Sequence, residues 1–265
     1  MSMKHIKRIL LSNDDGLLAT GLQTLFLSLR DEGYDVVAVA PEGEQSTTGH
    51  SLTLHKPLRL YQTQENQYAV SGTPADCVYL GLAEIFKGSP PDMVISGVNR
   101  GANLANDVYY SGTVAAAREA YLAGFPAIAV SLAIEWMETK RAIESRQHNY
   151  ETASDVVLSL LKSTVPKFLE KRKRFLWNIN VPDCPKSELK GWKFCHLGER
   201  HYSNELSKRQ DPKNKTYYWI AGDLTGHDKA EHTDCTAVEK GHVSITPLQI
   251  DCSNVDELEI LRGLV

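Results

Sequence analysis

Four short runs, Arg8 to Ser12, Val36 to Ala40, Met93 to Ser96 and Ala127 to Val130, are apolar almost without interruption. A strand that is apolar on both faces has to be covered on both, and that is the condition of a parallel sheet lying between two layers of helices. The segments between these runs have the other period. Leu22, Leu25, Phe26 and Leu29 recur at helical spacing up to Gly33. Thr73, Pro74, Ala75 and Asp76 open a second helix as a Thr cap, a Pro in the first position and an acid in the third, and Gly88 closes it. Thr113 to Ala123 makes a helix of small residues that stops at Gly124. This alternation predicts an α/β fold: a Rossmann-like, mainly parallel sheet with helices on both faces.

Two stretches depart from the pattern. Between Ser51 and Ser71 the residues Leu52, Leu54, Leu58 and Leu60 alternate roughly, which predicts a β-hairpin inserted beside the main sheet. Residues 183–235 are polar but carry Trp192, Tyr217, Tyr218 and Trp219, and read as a hairpin arm or subunit interface. Around them the pattern predicts a helix from Tyr150 to Leu161, strands from Phe175 to Val181 and from Val243 to Leu248, and a short last helix from Val255 to Leu261. The organisation expected is one domain over 1–265, with a core of about 1–135 and a C-terminal extension with interface elements over about 136–265.

Charge and cysteine usage narrow the partners. Lys and Arg number 29 against 33 acids, a net charge of −4, so nothing overall attracts a nucleic-acid backbone. Lys171, Arg172, Lys173 and Arg174 read as a solvated helix end. Cysteines at 77, 184, 195, 235 and 252 are odd in number and form no CxxC pair, which points to a reducing compartment and away from a cysteine zinc site. The apolar stretch Ile9 to Leu11 stops at Asn13, too short for a signal peptide, and no run approaches the ~20 apolar residues of a membrane span. The expectation is a cytoplasmic chain with neither nucleic-acid nor membrane partner.

In an open parallel sheet, ligands bind outside the carboxyl ends of the strands, so the loops after the first three core strands should meet. They bring Asp14 and Asp15, then Gln45, Ser46 and Thr47, then Asn99, Arg100, Asn103 and Ser111. Taken alone, Asn13-Asp14-Asp15-Gly16 reads first as a turn. In this company, two adjacent carboxylates with hydroxyl and amide oxygens make a hard-ligand set suited to Mg²⁺ or Mn²⁺. Ser111-Gly112-Thr113 opens a helix whose first amides can hold a phosphate, although an ordinary Ser or Thr cap is the plainer reading of that triplet alone. Cation and anion cradle together suggest phosphoryl transfer to water. No GxxxxGK[ST] loop is present, and the DxD spacing of phospho-aspartyl phosphatases is absent, which favours direct attack by metal-activated water.

At these residues the sequence resembles the SurE family of survival-protein nucleotidases. The resemblance is carried by Leu10 to Gly16, Val70 to Val78, Ser96 to Asn103 and Tyr110 to Ala117, and returns at Thr233-Asp234 and from Gly241 to Leu248. It implies a divalent-metal-dependent phosphatase for nucleoside 5′-monophosphates, often also active on 3′-monophosphates and short polyphosphate. It also implies Asp14, Asp15, Ser46 and Asn99 as metal ligands, Asp14 being the catalytic candidate. Asn103, Ser111, Gly112 and Thr113 would hold phosphate, and swapped C-terminal elements would make a homodimer or homotetramer. One position departs from the family pattern: Thr47 stands where a glycine commonly follows the ligand serine.

Other readings stay open at this point. A nucleotide-binding sensor without turnover would use the same fold but has little need of paired carboxylates, and a receiver-like signalling domain does not account for the long C-terminal half. His227, Asp228, Glu231, His232 and Asp234 crowd one stretch, but the spacing of the histidines is not that of a helical metal pair. A solvated loop with a capping or interface role is the expectation there. Thr73 and Asp76 are read as structural. Arg100 is open between neutralising phosphate and pairing with a surface acid.

Overall fold

The computed structural model describes residues 6–134, 147–203, 205–220 and 222–264. The expected boundary near residue 135 falls on residues 135–146, outside that set. Nine strands form one sheet in the order β3-β4-β2-β1-β5-β6-β7-β13-β8. Its centre comprises β1 (Arg8–Ser12), β2 (Asp35–Pro41), β5 (Met93–Arg100), β6 (Ala127–Ala133) and β7 (Leu176–Pro182), each parallel to its neighbours within this group. β13 (Val243–Pro247) then runs antiparallel to β7, and the short β8 (Trp192–Phe194) runs parallel to β13 at the edge.

Each central strand is apolar on both faces because each face has its own helical layer. Ile9 and Leu11 point into a core shared with α1 (Thr20–Asp31) and α4 (Tyr150–Leu169), where Leu22, Leu25, Val157 and Leu160 are sealed from solvent. Leu10, Val37, Val39 and Val94 face the opposite way, onto α2 (Pro74–Leu80) and α3 (Gly112–Leu122). The small residues of α3, Ala116, Ala117 and Ala120, let that helix lie close against the sheet.

The second expected helix begins as its sequence dictates. Thr73 accepts from the Asp76 amide while the Asp76 carboxylate accepts from the Thr73 amide, a complete capping box with Pro74 in the first turn. The helix widens into a π turn over Gly81–Ile85 before Gly88. The fourth helix runs further than expected, through Pro166 to Leu169. Its last turn is held by Phe168, which packs edge-on against Phe175 and Trp177 at ring separations of 5.4 and 5.0 Å. Of the basic cluster after it, Arg174 is not simply solvated: its guanidinium lies 4.5 Å over the Tyr121 ring and donates to the Tyr121 carbonyl.

The hairpin expectation needs correction in two respects. Only β3 (Leu60–Gln64) and β4 (Gln67–Val70) are strands, and β4 pairs parallel to β2, so the hairpin extends the main sheet instead of lying beside it. Residues 51–59 are irregular. Leu54, 89% exposed, has no face to bury, so the apparent alternation that began at Leu52 carries no strand. The 183–235 region does contain the expected arm. β10 (Leu206–Gln210) and β11 (Thr216–Ile220) form an isolated antiparallel hairpin, based on a separate pair of β9 (Arg200–Tyr202) and β12 (Leu224–His227). The last two helices are α5 (Asp234–Glu239) and α6 (Val255–Arg262).

Close packing of α1 on the sheet depends on one glycine. A Cβ built on Gly21 would stand 2.0 Å from the Val98 carbonyl oxygen and 2.9 Å from the Tyr150 ring. Gly21→Ala should therefore destabilise the protein by roughly 1–3 kcal/mol, read as a lower midpoint in urea unfolding. An unchanged midpoint would show that α1 is free to shift.

Candidate active site

From β1 the chain moves to β2 on one flank, and after β4 and α2 it crosses back to β5 on the other flank, so the carboxyl ends of β1 and β5 open on the switch point of the sheet. The turn after β1 is closed by Asn13. Its Nδ2 donates to the Gly16 carbonyl at 2.9 Å, and its Oδ1 accepts from the Gly16 amide at 3.2 Å. Turn chemistry is thus the work of Asn13, and it leaves the carboxylates of Asp14 and Asp15 free to project. Asp14 is only 5% exposed and Asp15 is half-buried.

β5 does not end at Ser96 as expected but continues to Arg100 after a register shift between Ser96 and Asn99. The shift lays the Arg100 amide against Asp15 Oδ2 at 2.9 Å. Asn99 donates through Nδ2 to the Gly101 carbonyl at 2.9 Å, which leaves its Oδ1 available as a ligand. From the loop after β2, the Gln45 amide donates to the Asp14 carbonyl at 2.7 Å, and Ser46 Oγ donates to Glu44 Oε1 at 2.6 Å. Thr47 sits at φ 58°, in the left-handed region that glycine enters without penalty. The loop therefore keeps a glycine-type backbone although the residue is threonine.

The start of α3 meets Asp14 directly. Ser111 caps the helix by accepting from the Val114 amide at 3.1 Å. The Thr113 hydroxyl, expected to face a phosphate, donates to Asp14 Oδ1. A Cβ on Gly112 would come within 2.7 Å of Asp14 Cβ, so only glycine lets the carboxylate nest there. Asn103 is fixed from several sides. Its Nδ2 donates to Ser131 Oγ at 2.8 Å, its amide donates to Asn180 Oδ1, and its carbonyl accepts from the side chains of Asn178 and Asn180.

Asp14, Asp15, Ser46, Asn99, Asn103 and Ser111 all line one cavity of about 550 Å³. Gly112 and Thr113 stand behind Asp14. Burial pushes the Asp14 carboxyl above its ordinary range, against the Thr113 hydroxyl and the backbone of Thr113 and Gly112, which pull it back. Asp15 is pushed up to about 6 by burial first and then by the charge of Asp14, with a smaller push from Glu44. The amide and the charge of Arg100 oppose this. Among the described residues neither acid has a basic side chain within ion-pair distance. Two carboxylates, an amide oxygen and a hydroxyl thus line one cavity with the acids only partly compensated by Arg100, and this donor set fits a hard divalent cation.

Several residues of the cavity were not expected from the sequence. Glu44, Asn106 and Asp107 bring further polar groups, while Tyr202, Ile220 and Gly222 form the far wall. Tyr202 is held in place by Asp107, whose Oδ1 accepts its hydroxyl at 2.7 Å and whose Oδ2 pairs with Arg200. The clustering of His227 to Asp234 has a structural outcome. Thr233 caps α5, and Asp234, expected on a solvated loop, is fully buried, with its carboxylate accepting from the amides of Ala105 and Gly198 at 2.9 and 2.8 Å.

Comparison with known proteins points in one direction. The family model described as survival protein SurE matches residues 9–204. A Haemophilus influenzae (strain PittGG) protein named 5′-nucleotidase SurE is 47% identical over 256 residues, covering 97% of this chain and 96% of that protein. Its namesake from Aliivibrio fischeri is 42% identical over 254 residues, covering 96% and 93%. The crystal structure of the SurE protein from Aquifex aeolicus superposes with a TM-score of 0.77 at 37% identity, over 97% of this chain and 98% of that one. With the family model spanning most of its length and relatives this similar across nearly all of it, the chain belongs to the SurE family.

Proposed function

We propose that this chain hydrolyses nucleoside 5′-monophosphates, with 3′-monophosphates and short polyphosphate as further substrates, in a reaction that needs a divalent cation. The observation that carries this reading is the convergence of Asp14 and Asp15, both held above their ordinary carboxylate range and neither ion-paired among the described residues, on the cavity that also receives Asn99, Ser46 and the start of α3. A protein that only sensed a nucleotide would gain nothing from two crowded acids in its binding site.

In this reading Asp14, Asp15, Asn99 Oδ1 and Ser46 Oγ hold Mg²⁺ or Mn²⁺. What the cation supplies when bound is Lewis-acid stabilisation of the phosphoryl oxygens and activation of the attacking water. The remaining work falls to the chain itself. Thr113 and the backbone at the start of α3 keep Asp14 oriented, so Asp14 presents the same face to the cavity in every turnover. Asn103 and Ser111 lie on the wall of the cavity and bind the phosphate, helped by the positive end of α3. Gly112 and Thr113 act on that phosphate indirectly, by holding the Asp14 carboxyl through their backbone and the Thr113 hydroxyl. Tyr202 and Ile220 on the far wall offer an apolar surface for the nucleoside.

A homodimer or homotetramer agrees with the apolar surface left open on the hairpin arm and the last helix. Trp219, Ile220, Ile260 and Leu264 are all more than half exposed in the single chain. Five cysteines without a disulfide suit the cytoplasm. No helix among the described residues is long and apolar enough to cross a membrane.

Phosphate release from AMP should require Mg²⁺ or Mn²⁺ and stop in EDTA, and Asp14→Asn should lower it by about 100-fold or more with the circular dichroism spectrum unchanged. Nucleotide binding without release under any metal would favour the sensor instead. The crowded acids also predict a pH dependence. Because the folded pKa of Asp15, about 6, lies above the value of 3.8 for the free side chain, its contribution to stability in the metal-free protein is present below that lower value. It is lost as pH rises through 6. Asp15→Asn should therefore melt higher than the parent without metal, by a margin that widens from pH 5 to pH 7.5. It should also lose most of the stabilisation that Mn²⁺ gives the parent. A margin that is constant with pH would contradict this account of the acid pair.

A further inference from the structure

The proposed ligand Ser46 lies on the loop that follows β2, and little holds that loop in place. Thr48 and Ser51 bond within the loop itself, to the carbonyls of Gln45 and Thr48. Three contacts of its backbone lead outward: the Gln45 amide donates to the Asp14 carbonyl, the Gly49 amide donates to the Tyr110 carbonyl, and the Ser51 carbonyl accepts from the Thr73 hydroxyl at 2.7 Å. Among residues 45–51, all described, one side chain makes a hydrogen bond that leaves the loop. It is His50, whose Nε2 lies 2.8 Å from Glu119 Oε2, with side-chain exposures of 20% and 13% for the two partners.

Glu119 belongs to α3, the same helix whose first turn holds Asp14 through Thr113 and Gly112. From Gly112 to Glu119 is two turns, about 10 Å along a rigid rod. The helix thereby fixes two parts of the site in one frame: Asp14 at its start and, through Glu119 and His50, the loop that carries Ser46. Without the His50 contact, the ligand loop would be held through backbone atoms alone, at Gln45, Gly49 and Ser51, and the largely buried Glu119 carboxyl would lose its imidazole partner. We propose that His50 and Glu119 form a positioning clamp that sets the affinity of the site for its divalent cation by holding the Ser46 loop against α3. The inference rests on the reading of this cavity as a metal-dependent phosphatase site, and it assigns neither residue a contact with substrate or metal.

The test is the affinity for Mn²⁺, measured by isothermal titration calorimetry on the intact protein, together with phosphate release from AMP as a function of Mn²⁺ concentration. His50→Ala and Glu119→Ala should each weaken Mn²⁺ binding by about 10-fold, the lower end of what loss of an outer supporting group costs. The half-saturating Mn²⁺ concentration for release should rise in parallel. The double variant should be no worse than either single one, since both remove the same contact. Glu119→Gln, which keeps an acceptor for the imidazole, should bind Mn²⁺ nearly as the parent does, whereas His50→Phe, which keeps a ring but no ring nitrogen, should lose as much as His50→Ala and covers the case in which an alanine variant folds poorly. Parent-like Mn²⁺ affinity in the two alanine variants, or additive losses in the double one, would overturn the clamp while leaving the phosphatase reading intact. A parent protein that neither binds Mn²⁺ nor releases phosphate would overturn both.

Discussion

A sheet covered on both faces by helices can offer chemistry only at the ends of its strands, and this constraint governs the molecule. The apolar runs of β1, β2, β5 and β6 leave a ligand little to reach along the sheet faces, so the functional groups come from the carboxyl ends of the strands and the loops beyond them. At the gap between β1 and its two neighbours these exits coincide. The cost of the arrangement is electrostatic, because the first exit delivers two acids side by side into a half-buried space. Part of that cost is met locally, by the Thr113 hydroxyl, the start of α3 and the Arg100 amide. In the proposed reading, a divalent cation meets the rest.

Much of this was legible in the sequence because it is local. Strand cores follow from unbroken apolar runs, the start of α2 from the Thr-Pro-x-Asp order, and the acid pair from its place at the end of β1. What the sequence hid depends on contacts between distant segments. Asn99 and Arg100 read as loop residues, since nothing in Gly97-Val98-Asn99-Arg100 resembles a strand, yet β6 pairs with them after a register shift. Leu52 and Leu54 read as strand residues, yet no face of the sheet lies beneath them. Thr113 was legible as a member of the helix start but not as the partner of Asp14, because that bond spans 99 positions. Tyr202 entered the site through the pairing of β9 with β12, and Ile220 through the pairing of β10 with β11, and no local pattern brings either to the cavity.

The same limit explains the histidines. From sequence alone, the stretch from His227 to Asp234 drew attention as a cluster of metal-ligating types, whereas His50 stood in a loop noticed only for its serine. In the fold the order reverses. Asp234 turns inward to bind the amides of Ala105 and Gly198, and His50 reaches the helix beside the site. Residue type is thus a weaker guide than the element on which a residue finds its partner.

The cavity has two walls of different origin. Its floor, with Asp14, Asn99 and Ser111, is built at the ends of the central strands and at the start of α3, which rest on the buried layers of the sheet. Its opposite wall hangs on the separate strand pair β9–β12 and the arm above it, neither of which shares a hydrogen-bonded edge with the main sheet. Substitutions in that wall leave the buried layers untouched, so over evolutionary time the two sides can drift at different rates. If the proposed function holds, a lineage could remodel the contour facing the nucleoside, and hence its choice of base, while inheriting the floor with its acid pair unaltered.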